Sequence, residues 1–158
     1  MAGAVRPNAS VEALVDGDTI DVSVGGRTER VRLIGIDTPE IAHAAAGGRP
    51  ATPAECFGDE ATAYTEQLLP TGTSVRLMRD VVARDDYGRL LAYVFRASDG
   101  VLVNYELARH GYAQPLTIEP NTRFATQIVE AVRQAEADEA GLWGACRGRE
   151  GAGARVPQ

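Results

Sequence analysis

Three short stretches of this sequence carry side chains whose types and spacing could do chemistry. In VDGDTI, Asp16 and Asp18 stand on either side of Gly17. In VRLIGIDTPE, Arg32 precedes the carboxylate of Asp37, which is followed by Thr38, a rigidifying Pro39 and a second carboxylate, Glu40. DDYGR ends on Arg89. Each alone is a weak sign, since DGDT is an ordinary turn pattern and charges closing an apolar run often mark only a strand leaving the core. Together they supply the carboxylates and guanidiniums that metal-assisted attack on a phosphodiester needs.

Hydrolysis of a phosphodiester requires a placed water, neutralisation of the charge on the non-bridging oxygens, and help for the departing alkoxide. A hard divalent cation held by carboxylate and carbonyl oxygens meets much of that need, so Ca²⁺ or Mg²⁺ suits this chain. Asp18 and Asp37 are the candidate ligands. Zinc is disfavoured, because His43, His110 and the two cysteines lack ligand spacing. Glu40 can stand near the metal without binding it and orient or deprotonate water. Arg32 and Arg89 each offer a planar fork to phosphate, a geometry lysine does not match.

These groups must be positioned by strands. Val11, Ala13 and Val15 alternate, as do Ile20, Val22 and Val24, and Val31 and Leu33 follow after the pair Gly25-Gly26. Period-two apolarity split by two glycines reads as strands joined by a tight hairpin. A strict period of two places Arg32 and Asp37 on opposite faces of the third strand. Both can serve one site only if pairing ends near Ile34 to Ile36, and Gly35 is where a backbone turns aside at least cost.

Beyond this strand the chain reads as a long Ala/Gly/Pro-rich loop over 41–56, in which His43 is expected to be solvated. A helix follows with Phe57, Ala61, Tyr64 and Leu68 on one face, stopped by Pro70. Val75 and Leu77 open another strand, and Leu90 to Phe95 reads as a buried one. Leu102 to His110 reads as a short helix closed by Gly111. Gln114 to Asn121 reads as an extended connection, Thr122 to Ala140 as a long helix, and Trp143 as a plug in the core. Five short strands with about three helices at a corner and at the end describe an α+β protein, a five-stranded Greek-key barrel of the OB type.

A chain of 158 residues suits one domain. Its expected limits are 10–146, with a flexible N-terminal arm over 1–9 and a disordered tail over 147–158. No apolar run approaches the ~20 residues of a membrane span. All 16 basic residues are arginine and the formal net charge is −6, so any affinity for nucleic acid must come from a local site rather than from overall charge. Cys56 and Cys146 are either two buried thiols or a disulfide pinning the C-terminal segment to the domain. Their Gly-rich surroundings favour the disulfide, which implies an oxidising compartment. Met1 to Ser10 has no apolar core of a signal peptide, so none is expected in this chain.

With VDGDTI, VRLIGIDTPE, CFGDEATAYT, DDYGRLLAYV, VNYELARHGYA and the closing GLW in view, the sequence resembles the staphylococcal-nuclease-like (thermonuclease) family from about Ser10 to Trp143. The resemblance implies an OB-fold barrel with helices and a calcium-dependent endonuclease that cleaves DNA and RNA to leave 3′-phosphates. It implies one Ca²⁺ held by Asp18, Asp37 and the backbone carbonyl of Thr38, with Asp16 supporting the ligands from behind. Glu40 is similar to the family's general base, Arg32 and Arg89 to its phosphate-binding arginines, and Tyr87 to a residue lining the nucleotide pocket. A secreted or cell-surface monomer is expected.

The chain departs from the basic prototype in its acidity and in lacking a pair of tyrosines around Thr117 to Glu119. Weaker or more salt-sensitive substrate binding is the expected consequence. The alternative function is a catalytically silent OB-fold module that binds nucleic acid. Such a module has no need to hold Asp18, Arg32, Asp37, Glu40 and Arg89 together. Arg32→Ala and Glu40→Ala are expected to lose cleavage with little loss of fold.

Overall fold

The computed structural model describes residues 3–147. Five strands close a barrel in the order β1 (Ala9–Asp16), β2 (Thr19–Val24), β3 (Arg27–Leu33), β6 (Leu90–Arg96) and β5 (Ser74–Met78). All barrel pairs are antiparallel except β3 with β6, which run parallel. Two three-residue strands, β4 (Gly35–Asp37) and β7 (Gln114–Leu116), form a separate antiparallel pair outside the barrel. The OB-type α+β architecture expected from the sequence is therefore present. The connection read as merely extended contains β7, whose strand character depends on a partner remote in sequence.

Barrel closure buries Val11, Ile20, Val22, Val31, Leu33, Val75 and Val94. The alternation expected in the first strand breaks, because the β1–β2 register shifts between Val11 and Ala13. Glu12 is the extra residue, Ala13 turns outward, and Leu14 packs against the core instead.

Helix α1 (Gly58–Leu68) lies over the barrel on Ala61, Thr65 and Leu68. Helices α2 (Val103–Arg109) and α3 (Ala125–Ala137) bury Leu107, Ile128, Ala131 and Ala135. The short α4 (Leu142–Ala145) carries Trp143 into the core, as its position past the long helix suggested.

Asn104 marks where the barrel opens. Fully buried, its side chain donates to the carbonyls of Ile34 (2.8 Å) and Ala92 and accepts from Val94 N–H (2.9 Å). It thus serves backbone groups around the point where β3 leaves its neighbour. Pairing of β3 with β6 stops at Leu33, and Gly35 follows with φ +90°, a value open to glycine at little cost. A Cβ there would meet Ile128 Cδ1 at 2.7 Å. The chain re-pairs at once, Asp37 opposite Gln114.

Of the segment read as a flexible arm, the described residues 3–9 include two whose backbones bond to the barrel region. Val5 N–H donates to Ala97 O and Asn8 N–H to Val75 O, while the Asn8 side chain donates from Nδ2 to Leu77 O and accepts at Oδ1 from Leu77 N–H. Of the tail expected over 147–158, residues 148–158 lie outside the described residues.

Candidate functional site

The turn between β1 and β2 and the strand pair β3–β4 build one cluster. Thr19 stands opposite Arg32 across the β2–β3 ladder, which brings Asp18 beside Arg32. Gly17 permits the close approach: a Cβ there would lie 2.7 Å from Thr38 Oγ1. Thr65, buried on α1, pins the turn by donating from its hydroxyl to Gly17 O at 2.7 Å.

Asp18 is only 3% exposed. Its Oδ1 accepts from the Thr19 hydroxyl at 3.0 Å and its Oδ2 from Thr38 N–H at 3.0 Å. Arg32 Nη2 lies 3.3 Å from Asp18 Oδ2 and 3.5 Å from Asp37 Oδ1. The other edge of the guanidinium is fixed, Nη1 donating to the carbonyls of Leu33 and Ile36 at 2.8 Å each. Arg32 thus spans the break in the strand, bonded to backbone on both sides of Gly35. Asp16 accepts from Asp18 N–H at 3.1 Å. Burial, reinforced by the neighbouring charge of Asp18, pushes its carboxyl up to about 7.

Glu40 lies beyond Pro39, with its carboxylate half exposed and its Oε1 3.3 Å from His43 Nε2. His43, expected to be simply solvated, is half exposed but faces this carboxylate. The Glu40 backbone N–H donates to Glu55 Oε1 at 2.9 Å.

Arg89 stands at the start of the parallel strand pair. Its Nε donates to Asp85 Oδ2 at 2.7 Å, and its backbone N–H to Asp85 Oδ1 at 2.9 Å. Burial opposes ionisation of Asp85, but the bonds from Arg89 outweigh it and hold the carboxyl below the usual carboxylate range. The Arg89 guanidinium sits 5.6 Å from the centre of the Tyr87 ring, which is 86% exposed. Arg32, Arg89 and Tyr87 line one groove of about 390 Å³ whose apolar wall includes Leu116 and Ile118. Arg32 is shared between this groove and the carboxylate cluster.

Arg32 thus stands between a pair of carboxylates and the groove it shares with Arg89. Among the described residues, no three His, Cys, Asp or Glu side chains gather as a complete metal shell. The two hard carboxylates of Asp18 and Asp37 fit calcium, which accepts backbone carbonyls and waters in its remaining places. Zinc, whose sites draw mainly on His and Cys, suits this pair less well.

Cys56 and Cys146 form a disulfide with a Cα–Cα distance of 5.8 Å. Both are buried.

Several supporting residues escaped the reading of the sequence. Thr65 falls on the same helical face as Ala61 and Leu68, a signal available from its spacing. Asp85 stands inside the DDYGR motif. Asn104 stands inside VNYELARHGYA, and Glu55 carries no local signal, because its partner Glu40 lies across the intervening loop.

The staphylococcal nuclease homologue family model matches residues 30–145. The chain is 37% identical over 133 residues to a thermonuclease of Staphylococcus intermedius, covering 84% of this chain and 74% of that protein. It is 34% identical over 143 residues to a thermonuclease of Staphylococcus hyicus, covering 90% of this chain and 79% of that protein. It is 31% identical over 137 residues to endonuclease YncB of Bacillus subtilis, covering 86% of this chain and 61% of that protein.

Proposed function

Because the chain belongs to the staphylococcal nuclease homologue family, we propose that it is a calcium-dependent endonuclease that hydrolyses phosphodiester bonds of DNA and RNA and leaves 3′-phosphates. The observation that carries this is the convergence of Asp18, Arg32 and Asp37 within 3.5 Å at the strand break. The relatives' names support the reaction class, and the hard-oxygen donor set supports calcium.

In this proposal Asp18, Asp37 and the Thr38 carbonyl hold one calcium ion, and Asp16 supports Asp18 through the bond to its backbone N–H. The bound ion would supply Lewis-acid stabilisation of charge on a non-bridging phosphate oxygen. Arg32 and Arg89 bind the remaining phosphate oxygens from the groove they share and offset the charge that accumulates as phosphorus becomes five-coordinate. Glu40 takes a proton from the attacking water. The water oxygen joins phosphorus, the bond from phosphorus to O5′ breaks, and O5′ leaves with a proton from solvent. Tyr87, with its exposed ring beside Arg89, lines the nucleotide side of the groove. We place the protein outside the cell or on its surface, since a disulfide persists in an oxidising compartment. No helix among the described residues is long and apolar enough to cross a membrane.

Incubation with plasmid DNA and with RNA, with calcium and with chelator, tests the proposal directly. Calcium-dependent loss of both substrates with phosphate on the 3′ ends is expected. Degradation that survives chelation, or none under any metal, would sink it.

A further inference from the structure

Glu40 is held at both backbone atoms by one residue. Its N–H donates to Glu55 Oε1 at 2.9 Å, and its carbonyl accepts from Glu55 N–H at 2.9 Å. The carbonyl is also hemmed in by the start of α1, where a Cβ on Gly58 would lie 2.1 Å from the Glu40 oxygen. Glu55 is itself anchored. Its carbonyl accepts from Gly58 N–H at 2.9 Å, and the next residue, Cys56, is bridged to Cys146 beyond α4. The excursion between Glu40 and Glu55 closes on itself, His43 and Thr52 exchanging both backbone bonds at 2.9 Å. The loop thus leaves the site at Glu40 and is returned to it at Glu55.

We propose that Glu55 is a positioning residue for Glu40, anchored by the Cys56–Cys146 disulfide, and that it sets where the Glu40 carboxylate stands relative to the attacking water. This rests on the proposed role of Glu40 as the group that takes the proton. Glu55 acts through the acceptor oxygen it offers to the Glu40 N–H, not through its charge. Glutamine offers the same oxygen from the same length of side chain, aspartate offers it one methylene short, and alanine offers none. A residue that merely stabilised the loop would affect melting without separating kcat from KM.

The test is the calcium-dependent cleavage of a single-stranded oligonucleotide by wild type, Glu55→Ala, Glu55→Asp, Glu55→Gln and Glu40→Gln, with melting temperatures recorded alongside. Glu55→Ala is expected to lower kcat about tenfold or more with KM within about twofold, since rates fall steeply when a catalytic group is misplaced. Glu55→Gln should restore kcat to within about threefold of wild type, and Glu55→Asp should fall between the two. Reduction and alkylation of the disulfide, at a temperature where circular dichroism reports a folded chain, should lower kcat in wild type and lower it less in Glu55→Asp. Wild-type kcat in Glu55→Asp, or equal losses in Glu55→Gln and Glu55→Asp, overturns the proposal even if Glu55→Ala does not fold. Loss of activity in Glu40→Gln together with those results overturns only the role of Glu55, whereas a wild-type rate in Glu40→Gln overturns both.

Discussion

Arg32 and Asp37 approach to 3.5 Å although a regular strand would set them on opposite faces. The break at Gly35 makes the approach possible, and the bonds from Arg32 Nη1 to Leu33 O and Ile36 O hold it. A cation therefore stitches the two halves of the break while presenting its free edge to two carboxylates.

Arg32 is structural as well as functional, which changes what its removal should do. Arg32→Ala leaves two backbone carbonyls and the buried Asp18 without their charged donor. A stability loss of about 1–3 kcal/mol is expected by urea denaturation, besides a loss of cleavage of about 100-fold or more. Arg32→Lys should recover part of the stability and little of the rate, because an ammonium lacks the planar fork. Glu40→Ala, with its half-exposed carboxylate, should lose cleavage with little change in stability.

Calcium should raise the melting temperature, since a ligand bound to the folded state alone stabilises it by about 2.7 kcal/mol at 100 times its Kd. Asp18→Asn and Asp37→Asn should each abolish most of that shift in differential scanning fluorimetry. An undiminished shift in both variants would place the ion elsewhere.

Reduction of the disulfide should destabilise the chain substantially. The bridge spans a sequence separation of 90, and closing a loop of that order contributes roughly 4–5 kcal/mol through the unfolded state in the chain-entropy account. Guanidinium titrations with and without reductant would measure the difference, and a loss well under 1 kcal/mol would contradict the chain-entropy account.

Asp80 gives the acid limb of stability a defined contributor. Burial opposes its ionisation, but bonds from the Tyr93 hydroxyl (2.7 Å) and Arg123 N–H (3.0 Å) outweigh that and hold its carboxyl below the usual range. The same contact, after burial, pushes the Tyr93 hydroxyl up to about 12. The contribution of Asp80 is thus present above about pH 4, the unfolded carboxylate value, and is lost as pH falls through its lower folded value. Asp80→Asn should be less stable than wild type at pH 7, and the gap should narrow as the pH falls below the unfolded carboxylate value.

The sequence by itself determined the barrel's strands, helices α1, α2 and α3 and the residue types of the site, because alternation, helical spacing and motif order are local properties of the chain. It even required the break at Gly35, since Arg32 and Asp37 differ in parity and cannot share a site without one. Only the tertiary structure decided what holds that break and what surrounds it. Thr65 reaches Gly17 across 48 positions, Asn104 reaches Ile34 across 70, and Glu55 returns to Glu40 after a loop that reads as featureless. Such contacts leave no local pattern, because a hydrogen bond depends on distance in space and is blind to separation along the chain. The bulge at Glu12 belongs to the same class: an extra residue shifts which side chains face the core, and alternation alone does not reveal where the partner strand will skip one.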